Sequence, residues 1–505
     1  MEICMGNMLV INSMLPEVRV ALLEYGRLAE LYIEREHERG IVGNIYRGRV
    51  VRVLPGMQAA FVDIGQEKAA FLYVGDARMA AEGDVELGEE SETEHPHHHE
   101  EEGKEELRIE DILQEGQTIT VQVSKDPLGT KGARLTTHIT LPGRYLVYLP
   151  RFSHIGISRR IGDAEERERL RKLMEGVRPS EGGFIVRTVA EGASEEQLRR
   201  DVDFLLRMWT EIQRREESAQ SPELLHYDLN VALRSIRDLC NDETERVLLD
   251  NPEEFYRVRR FLDSYMPEAQ FAVELYQRPD PIFDTFGISH EISRALARKV
   301  WLKSGGYLVI DQAEALTAID VNTGRYVGRR NLQDTILQTN LEAVQEVVYQ
   351  LRLRNIGGLI IIDFIDMERT EHRDRVCAAL VQALKADRAK TNVLKISELG
   401  LVEMTRKRVR ESLGRTLTEP CFYCNGTGML KSKTTICYEI FRELMRMADA
   451  MEGRTIQVNA HPAVVEQLFS QERGVVDWLE KLLNRKILIR PRESFHVERY
   501  AINSY

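Results

Sequence analysis

Two aspartates stand at the ends of apolar runs with the composition of buried strands. Asp320 closes Ala315-Leu316-Thr317-Ala318-Ile319-Asp320, and Asp363 closes Leu359-Ile360-Ile361-Ile362-Asp363. If those strands lie parallel and side by side, both carboxylates emerge from one edge of a sheet, about 4.8 Å apart. Such a pair can share a magnesium ion, which takes a few carboxylate oxygens and keeps several waters, leaving room for a phosphate and an attacking water. Asn322, two residues past Asp320, points to the same side if the strand continues. Taken singly, each aspartate is better explained as the cap of the next turn or helix. The matched placement is what points to metal.

Three other groups have chemical character. Cys421-Phe422-Tyr423-Cys424 follows Pro420 and precedes Gly426 and Gly428. Two thiolates make half of a structural zinc site. Cys4, Cys240, Cys377 and Cys437 are scattered, and one resolution is a homodimer in which each chain contributes two ligands. A redox pair is the competing reading, and the glycine-rich knuckle favours metal. Phe61 and Phe71 lie on either side of a turn at Gly65, and Lys131 lies just beyond the last strand of the same region. Exposed on a small barrel, each phenylalanine would stack a base of single-stranded nucleic acid for about 1–3 kcal/mol. Buried, both would be core. Arg406, Lys407, Arg408 and Arg410 form a basic cluster that suits either a solvated helix face or RNA.

These groups need strands to hold them. Residues 332–354 carry Ile336, Leu337, Leu341, Val344, Val348 and Leu351 at the helical period, with Asn355 and Gly357 as stop signals. Strand, crossover helix and strand make a βαβ unit, which predicts parallel pairing of the two aspartate-bearing strands. Nearer the N-terminus, short runs at 8–12, 18–25, 27–34, 43–53, 58–74 and 118–123 are punctuated by glycine, with a hairpin at Gly26. Their spacing predicts a small barrel. Residues 163–217 read as helical around a strand at 183–189, and residues 234–266 read as helical.

A chain of 505 residues suggests about three domains. The net charge of -12 looks hostile to nucleic acid, but residues 81–111 hold 14 acidic and 2 basic residues, and the remainder is balanced. The overall charge therefore says nothing against an RNA partner. That acidic segment, with His97-His98-His99 and Glu100-Glu101-Glu102, reads as a disordered loop inserted between barrel strands. No apolar run approaches the roughly 18 residues of a membrane span, and no basic region precedes an apolar leader. Six cysteines are too few for a disulfide framework, pointing to a reducing cytoplasm.

Several blocks in order resemble the bacterial ribonuclease E/G family, its shorter type in particular. They are residues 44–72, Lys131-Gly132-Ala133 with Leu135-Thr136-Thr137, residues 156–160, Val186-Arg187-Thr188, Ile319-Asp320-Val321-Asn322-Thr323-Gly324, residues 357–367 and residues 421–428. The chain ends at Tyr505 without the long disordered scaffold of the family's longer type. The resemblance implies a multidomain α/β architecture. A ribonuclease-H-like domain at 1–39 and 232–295 would be interrupted by an OB-fold RNA-binding barrel of the ribosomal S-one type at 40–126, carrying the acidic insertion 81–111, and by a 5′-sensor region at 127–231. A deoxyribonuclease-like catalytic domain at 296–417, a zinc link at 418–428 and a small C-terminal α/β domain at 429–505 would follow. It also implies an endoribonuclease that cuts single-stranded, often A/U-rich RNA in ribosomal RNA maturation and messenger RNA decay, leaving a 5′-monophosphate and a 3′-hydroxyl. Asp320 and Asp363 would hold Mg²⁺, Asn322 would orient one of them or touch RNA, and Phe61, Phe71 and Lys131 would grip substrate. Arg187 and Thr188, the backbone of Gly143 and Val147, and Lys390, where the family commonly has Arg, would sense a 5′-monophosphate. Cys421 and Cys424 would bind Zn²⁺ between two protomers, and dimers would pair into tetramers. A non-catalytic RNA-binding module using the barrel is the alternative, and the intact Asp320, Asn322 and Asp363 argue against it.

Overall fold

The computed structural model describes residues 6–77, 108–127, 131–179, 181–324, 332–394, 397, 400–447 and 453–504. The chain divides into a larger unit, Met1–Thr416, and a smaller one, Leu417–Tyr505. Among the described residues no helix is long and apolar enough to cross a membrane.

The first sheet of the larger unit is built from distant parts of the chain. Its strand order is Ala272–Leu275, Thr244–Leu249, Asn7–Asn12, Glu17–Glu24 and Arg27–Arg35. The hairpin expected at Gly26 forms, with Tyr25 and Gly26 both at positive φ, as a turn matched to strand twist requires. These N-terminal strands belong to this open sheet and not to the barrel. The helical reading of 234–266 is corrected in its middle: Thr244–Leu249 is a strand between two helices, Val231–Leu239 and Pro252–Tyr265. A short apolar run fits either period, and parallel pairing on both sides decided it.

The barrel is inserted after Arg35. Ile45–Leu54, Ala59–Asp63, Ala70–Tyr73, Arg134–Thr136 and Thr118–Lys125 pair in that order, and the last pairs back to the first. Five strands thus close on a core of Val50, Val62, Leu72, Val121 and Leu135, consistent with an OB-fold. At Gly132 a Cβ would lie 2.0 Å from the Ala69 carbonyl, so only glycine lets this segment approach the barrel. The acidic His-rich segment lies outside the described residues apart from its end, where Ile109–Ile112 is a short helix.

A four-stranded sheet follows, ordered Ile155–Ile157, Gly183–Val186, Leu146–Leu149 and Leu141–Pro142 and covered by the helices Ala164–Val177 and Glu195–Ser218. The strand expected over 183–189 ends at Val186, and Thr188–Ala190 is a 3₁₀ turn. Next comes a six-stranded sheet ordered Lys299–Trp301, Tyr307–Gln312, Leu316–Asn322, Gly358–Asp363, Leu401–Arg406 and Thr391–Val393. The crossover helix Leu332–Leu353 buries Ile336, Leu337, Val344, Val348 and Leu351 against Ile310, Ile319, Ile360 and Ile362. In the smaller unit, three helices pack on a sheet ordered Lys486–Pro491, Thr455–Ala460 and Tyr500–Ser504. The whole is a mixed α/β architecture.

The basic cluster is no helix face. Arg406 ends a strand and forms a buried pair with Asp387, at 2.7 and 3.0 Å. Arg410 donates to the Leu31 carbonyl and lies 3.6 Å from the Tyr32 ring centroid. Two of the four charges therefore serve packing. Removing one partner of a buried pair strands the other charge. Asp387→Ala is expected to cost about 3–5 kcal/mol, read as an earlier urea midpoint for the larger unit.

Candidate active site

The two aspartates are direct register partners. Leu316–Asn322 pairs parallel with Gly358–Asp363, with Ile319 opposite Ile362 and Asp320 opposite Asp363. Alternation puts Ile319, Val321, Ile360 and Ile362 into the core and leaves Asp320 and Asp363 exposed on the other face. Asn322 donates from Nδ2 to Asp320 Oδ2 at 2.8 Å, which fixes that carboxylate's rotamer. The turn after Asn322 is held close: a Cβ at Gly324 would meet the Gly305 carbonyl at 2.2 Å. Partial burial and the nearby charges of Asp320 and Asp366 raise the Asp363 carboxyl above its ordinary value. Among the described residues no Lys or Arg forms an ion pair with either aspartate. Two facing, exposed carboxylates with mutual repulsion and no basic partner there suit a divalent cation of the oxygen-loving kind.

One contributor was not foreseen. Asn340, fully buried on the crossover helix, donates to the Ile365 carbonyl at 2.8 Å and accepts from the Ile365 amide at 3.1 Å. It clamps the backbone two residues past Asp363. An asparagine inside the apolar stripe of a helix was the available signal.

The barrel resolves the two phenylalanines outward. Ala60, Val62, Ala70 and Leu72 are buried, while Phe61 and Phe71, opposite each other across the strand pair, are only partly covered. Their rings meet edge to face at 5.8 Å, and Tyr73 extends the group at 4.2 Å from Phe71. Arg134 lies over Tyr73 at 5.2 Å. Tyr73 escaped notice although it shares the face of Phe71 by period two. Lys131 is exposed in the segment that leads to the strand Arg134–Thr136.

Arg187 and Gly143 come together: Arg187 Nη1 donates to the Gly143 carbonyl at 2.6 Å and to that of Arg144 at 3.2 Å. Burial lowers the Arg187 pKa, with Asp238 opposing. Thr188 follows at the start of the 3₁₀ turn, and Val147 lies in the adjoining strand, opposite Ile185 and Pro142. The loop from Gly143 to Leu146 is built on Asp201, which accepts from the amides of Arg144, Tyr145 and Leu146 at 2.8–2.9 Å. Lys390 donates to the Arg160 carbonyl at 2.8 Å, in the loop beyond the edge strand Ile155–Ile157.

In the smaller unit, backbone N–H groups of Cys424 and Tyr423, and the Cys424 side chain, lower the Cys421 thiol from its ordinary value. Gly428 N donates to Cys424 Sγ at 3.3 Å, and Asn425, Gly426 and Gly428 take positive φ. His496 is spent on the Tyr423 carbonyl at 2.7 Å. No group of three metal-ligating side chains occurs among the described residues. Two thiols held by N–H···S bonds in a tight knuckle fit half of a tetrahedral site. They precede the helix Lys433–Met447 by several residues, so a helix terminus does not activate them as it does in redox pairs.

A closed barrel with outward aromatics and a sheet ending in paired carboxylates are the parts of a protein that grips and acts on nucleic acid. The chain belongs to the ribonuclease E/G family: residues 140–409 match the Ribonuclease E/G family, and residues 420–505 match its "RNase E/G, Thioredoxin-like domain". It is 47% identical to "Ribonuclease G" of Escherichia coli strain K12 over 98% of this chain and 99% of that one. With "Ribonuclease G" of Haemophilus influenzae the identity is 46% over 98% of both. "Ribonuclease E" of Haemophilus influenzae is 36% identical over 99% of this chain and 52% of its own. The match to the thioredoxin-like domain covers the Cys421–Cys424 knuckle, around which nothing in the sequence resembles the thioredoxin pattern.

The raised Asp363 carboxyl has a stability consequence. A raised pKa means that folding disfavours its charged form, a cost present at neutral pH and relieved as pH falls through the folded value. Without divalent cations, Asp363→Asn is expected to raise the thermal midpoint at pH 7.5. The gain should stay under about 1 kcal/mol because the group is solvated, and it should fade on acidification.

Proposed function

We propose that this endoribonuclease cuts single-stranded, A/U-rich RNA at the Asp320–Asp363 pair, leaving a 5′-monophosphate and a 3′-hydroxyl. The observation that carries the reading is the direct register of the two exposed carboxylates on neighbouring parallel strands. Bound between Asp320 and Asp363, Mg²⁺ would supply an activated water and neutralise charge developing on the phosphate. Asn322 keeps Asp320 oriented, and Asn340 keeps the backbone after Asp363 in place. Phe61, Phe71 and Tyr73 stack bases, Lys131 meets phosphate, and the OB-type barrel serves as the grip. Ribosomal RNA maturation and messenger RNA decay in the cytoplasm are the setting that fits a chain so close to curated ribonuclease G proteins.

The region around Arg187 is proposed to read the RNA's 5′ end. A monophosphate would meet the partly buried guanidinium of Arg187, the Thr188 side chain and the backbone near Gly143 and Val147. Lys390 contributes charge without the fork of an arginine, so discrimination should be modest. Cys421 and Cys424 are proposed to share Zn²⁺ with a second copy. The neighbouring Phe422 is 92% exposed, a large apolar ring of the kind an interface covers. Dimers so formed would be the unit that pairs into tetramers.

Cleavage of one short A/U-rich RNA bearing a 5′-monophosphate, 5′-triphosphate or 5′-hydroxyl tests both halves. With Mg²⁺, the wild-type chain should cut internally and fastest on the monophosphate. Asp320→Asn and Asp363→Asn should each lose at least about 10²-fold in rate; wild-type rates in both would refute the site. Arg187→Gln should level the three ends without abolishing cutting. For the zinc link, elemental measurement should find half a zinc per chain, and Cys421→Ser should lose both the metal and the dimer. One zinc per chain, unaffected by that change, would contradict a shared site.

A further inference from the structure

The sheet that carries the aspartates has a second feature on the same open face. Register places Trp301 opposite Tyr307 and Tyr307 opposite Asn322; the neighbouring row runs Lys299, Val309, Asp320 and Asp363. Residues directly opposite share a face, so the two rings stand on the aspartate side, Tyr307 one strand spacing and Trp301 two, about 5 and 10 Å, from the strand of Asp320. The other face, with Val300, Leu308 and Ile310, is spent on the core.

Trp301 is 60% exposed. Its ring meets Tyr307 at 5.4 Å in an edge arrangement. Lys299 Nζ lies 4.2 Å from the Trp301 ring centroid and 3.5 Å from that of Tyr307. Among the described residues Lys299 makes no ion pair with a carboxylate. An ammonium between two aromatic faces, open to solvent, matches what a nucleotide offers: a flat base and an anionic phosphate. Continuity with Asn322 sets the place of that nucleotide next to the one being cut.

We propose that Lys299, Trp301 and Tyr307 form a nucleotide-binding platform beside the cleavage site, stacking one base adjacent to the scissile phosphate while Lys299 meets the neighbouring phosphate. It rests on the reading of the Asp320–Asp363 pair given above. It is distinct from the barrel group of Phe61, Phe71 and Tyr73, which lies on another sheet. The platform acts on substrate binding and placement, and the aspartates act on the bond broken.

The test uses the full chain and a short A/U-rich single-stranded RNA, intact or with one abasic nucleotide at each position flanking the cut. Trp301→Ala should raise KM by roughly tenfold, the scale of one stacked base, with kcat little changed, and Trp301→Phe should restore most of it. One abasic position should cost the wild-type chain a similar factor and cost Trp301→Ala nothing more. Wild-type KM in Trp301→Ala, or an equal abasic penalty in both proteins, would overturn the platform. So would a halved mass of Trp301→Ala in sedimentation, which would assign the face to a second copy. Asp320→Asn run alongside reports on kcat: loss of cutting there with no Trp301 effect removes the platform alone. Undiminished cutting by Asp320→Asn removes the site and the platform with it.

Discussion

The structure turns on holding two like charges side by side. Asp320 and Asp363 repel one another, and partial burial together with that repulsion raises the Asp363 pKa. Nothing in the pair itself favours the arrangement. It is imposed from beneath, where Ile319, Ile360 and Ile362 are buried against the crossover helix Leu332–Leu353. Side chains alternate along a strand, so a slip of one residue would turn an isoleucine outward and an aspartate into the core. The cost of that exchange locks the register, and the register sets the carboxylates together.

The crossover helix also ties this sheet to the rest of the larger unit. Arg352 near its end forks onto Glu24 and reaches Glu30, both in the first sheet. Arg27 pairs with Glu346 and lies 3.4 Å from the Tyr349 ring centroid. The barrel and the region around Arg187 are carried between two strands of that first sheet, Arg27–Arg35 and Thr244–Leu249. The element that aligns the aspartates is thus anchored to the scaffold from which the proposed RNA-gripping surfaces arise. Arginines that a charge count would assign to RNA, such as Arg352, Arg406 and Arg410, are committed to these joints.

Some of this was legible in residue order. The apolar period of residues 332–354 and the flanking strands dictated a βαβ unit, and Asp320, Asn322 and Asp363 followed from it because parallel strands end on one edge. Four of the five barrel strands could be read as strands; Arg134–Thr136, only three residues long, could not, nor could the partition between barrel and open sheet. Sheet membership depends on pairing between residues hundreds of positions apart, as Asn7–Asn12 with Thr244–Leu249 shows. The strand within 234–266 failed for the same reason. Asn340 and Tyr73 were visible only as an out-of-place polar residue and a period-two neighbour.

By itself the amino-acid order determined what local chemistry and period can encode: the matched aspartates, the Cys421–Cys424 knuckle, the helix between the strands and the family to which the motifs point. Tertiary structure alone decided which side of a surface each group faces and which charges are free to act. It turned Phe61 and Phe71 outward, sank Arg406 onto Asp387, joined Arg187 to Gly143 and set Trp301 on the face of the aspartates. The division has one physical cause. Period and spacing act through neighbours along the chain, whereas exposure and pairing are settled by whatever distant segment takes the other side.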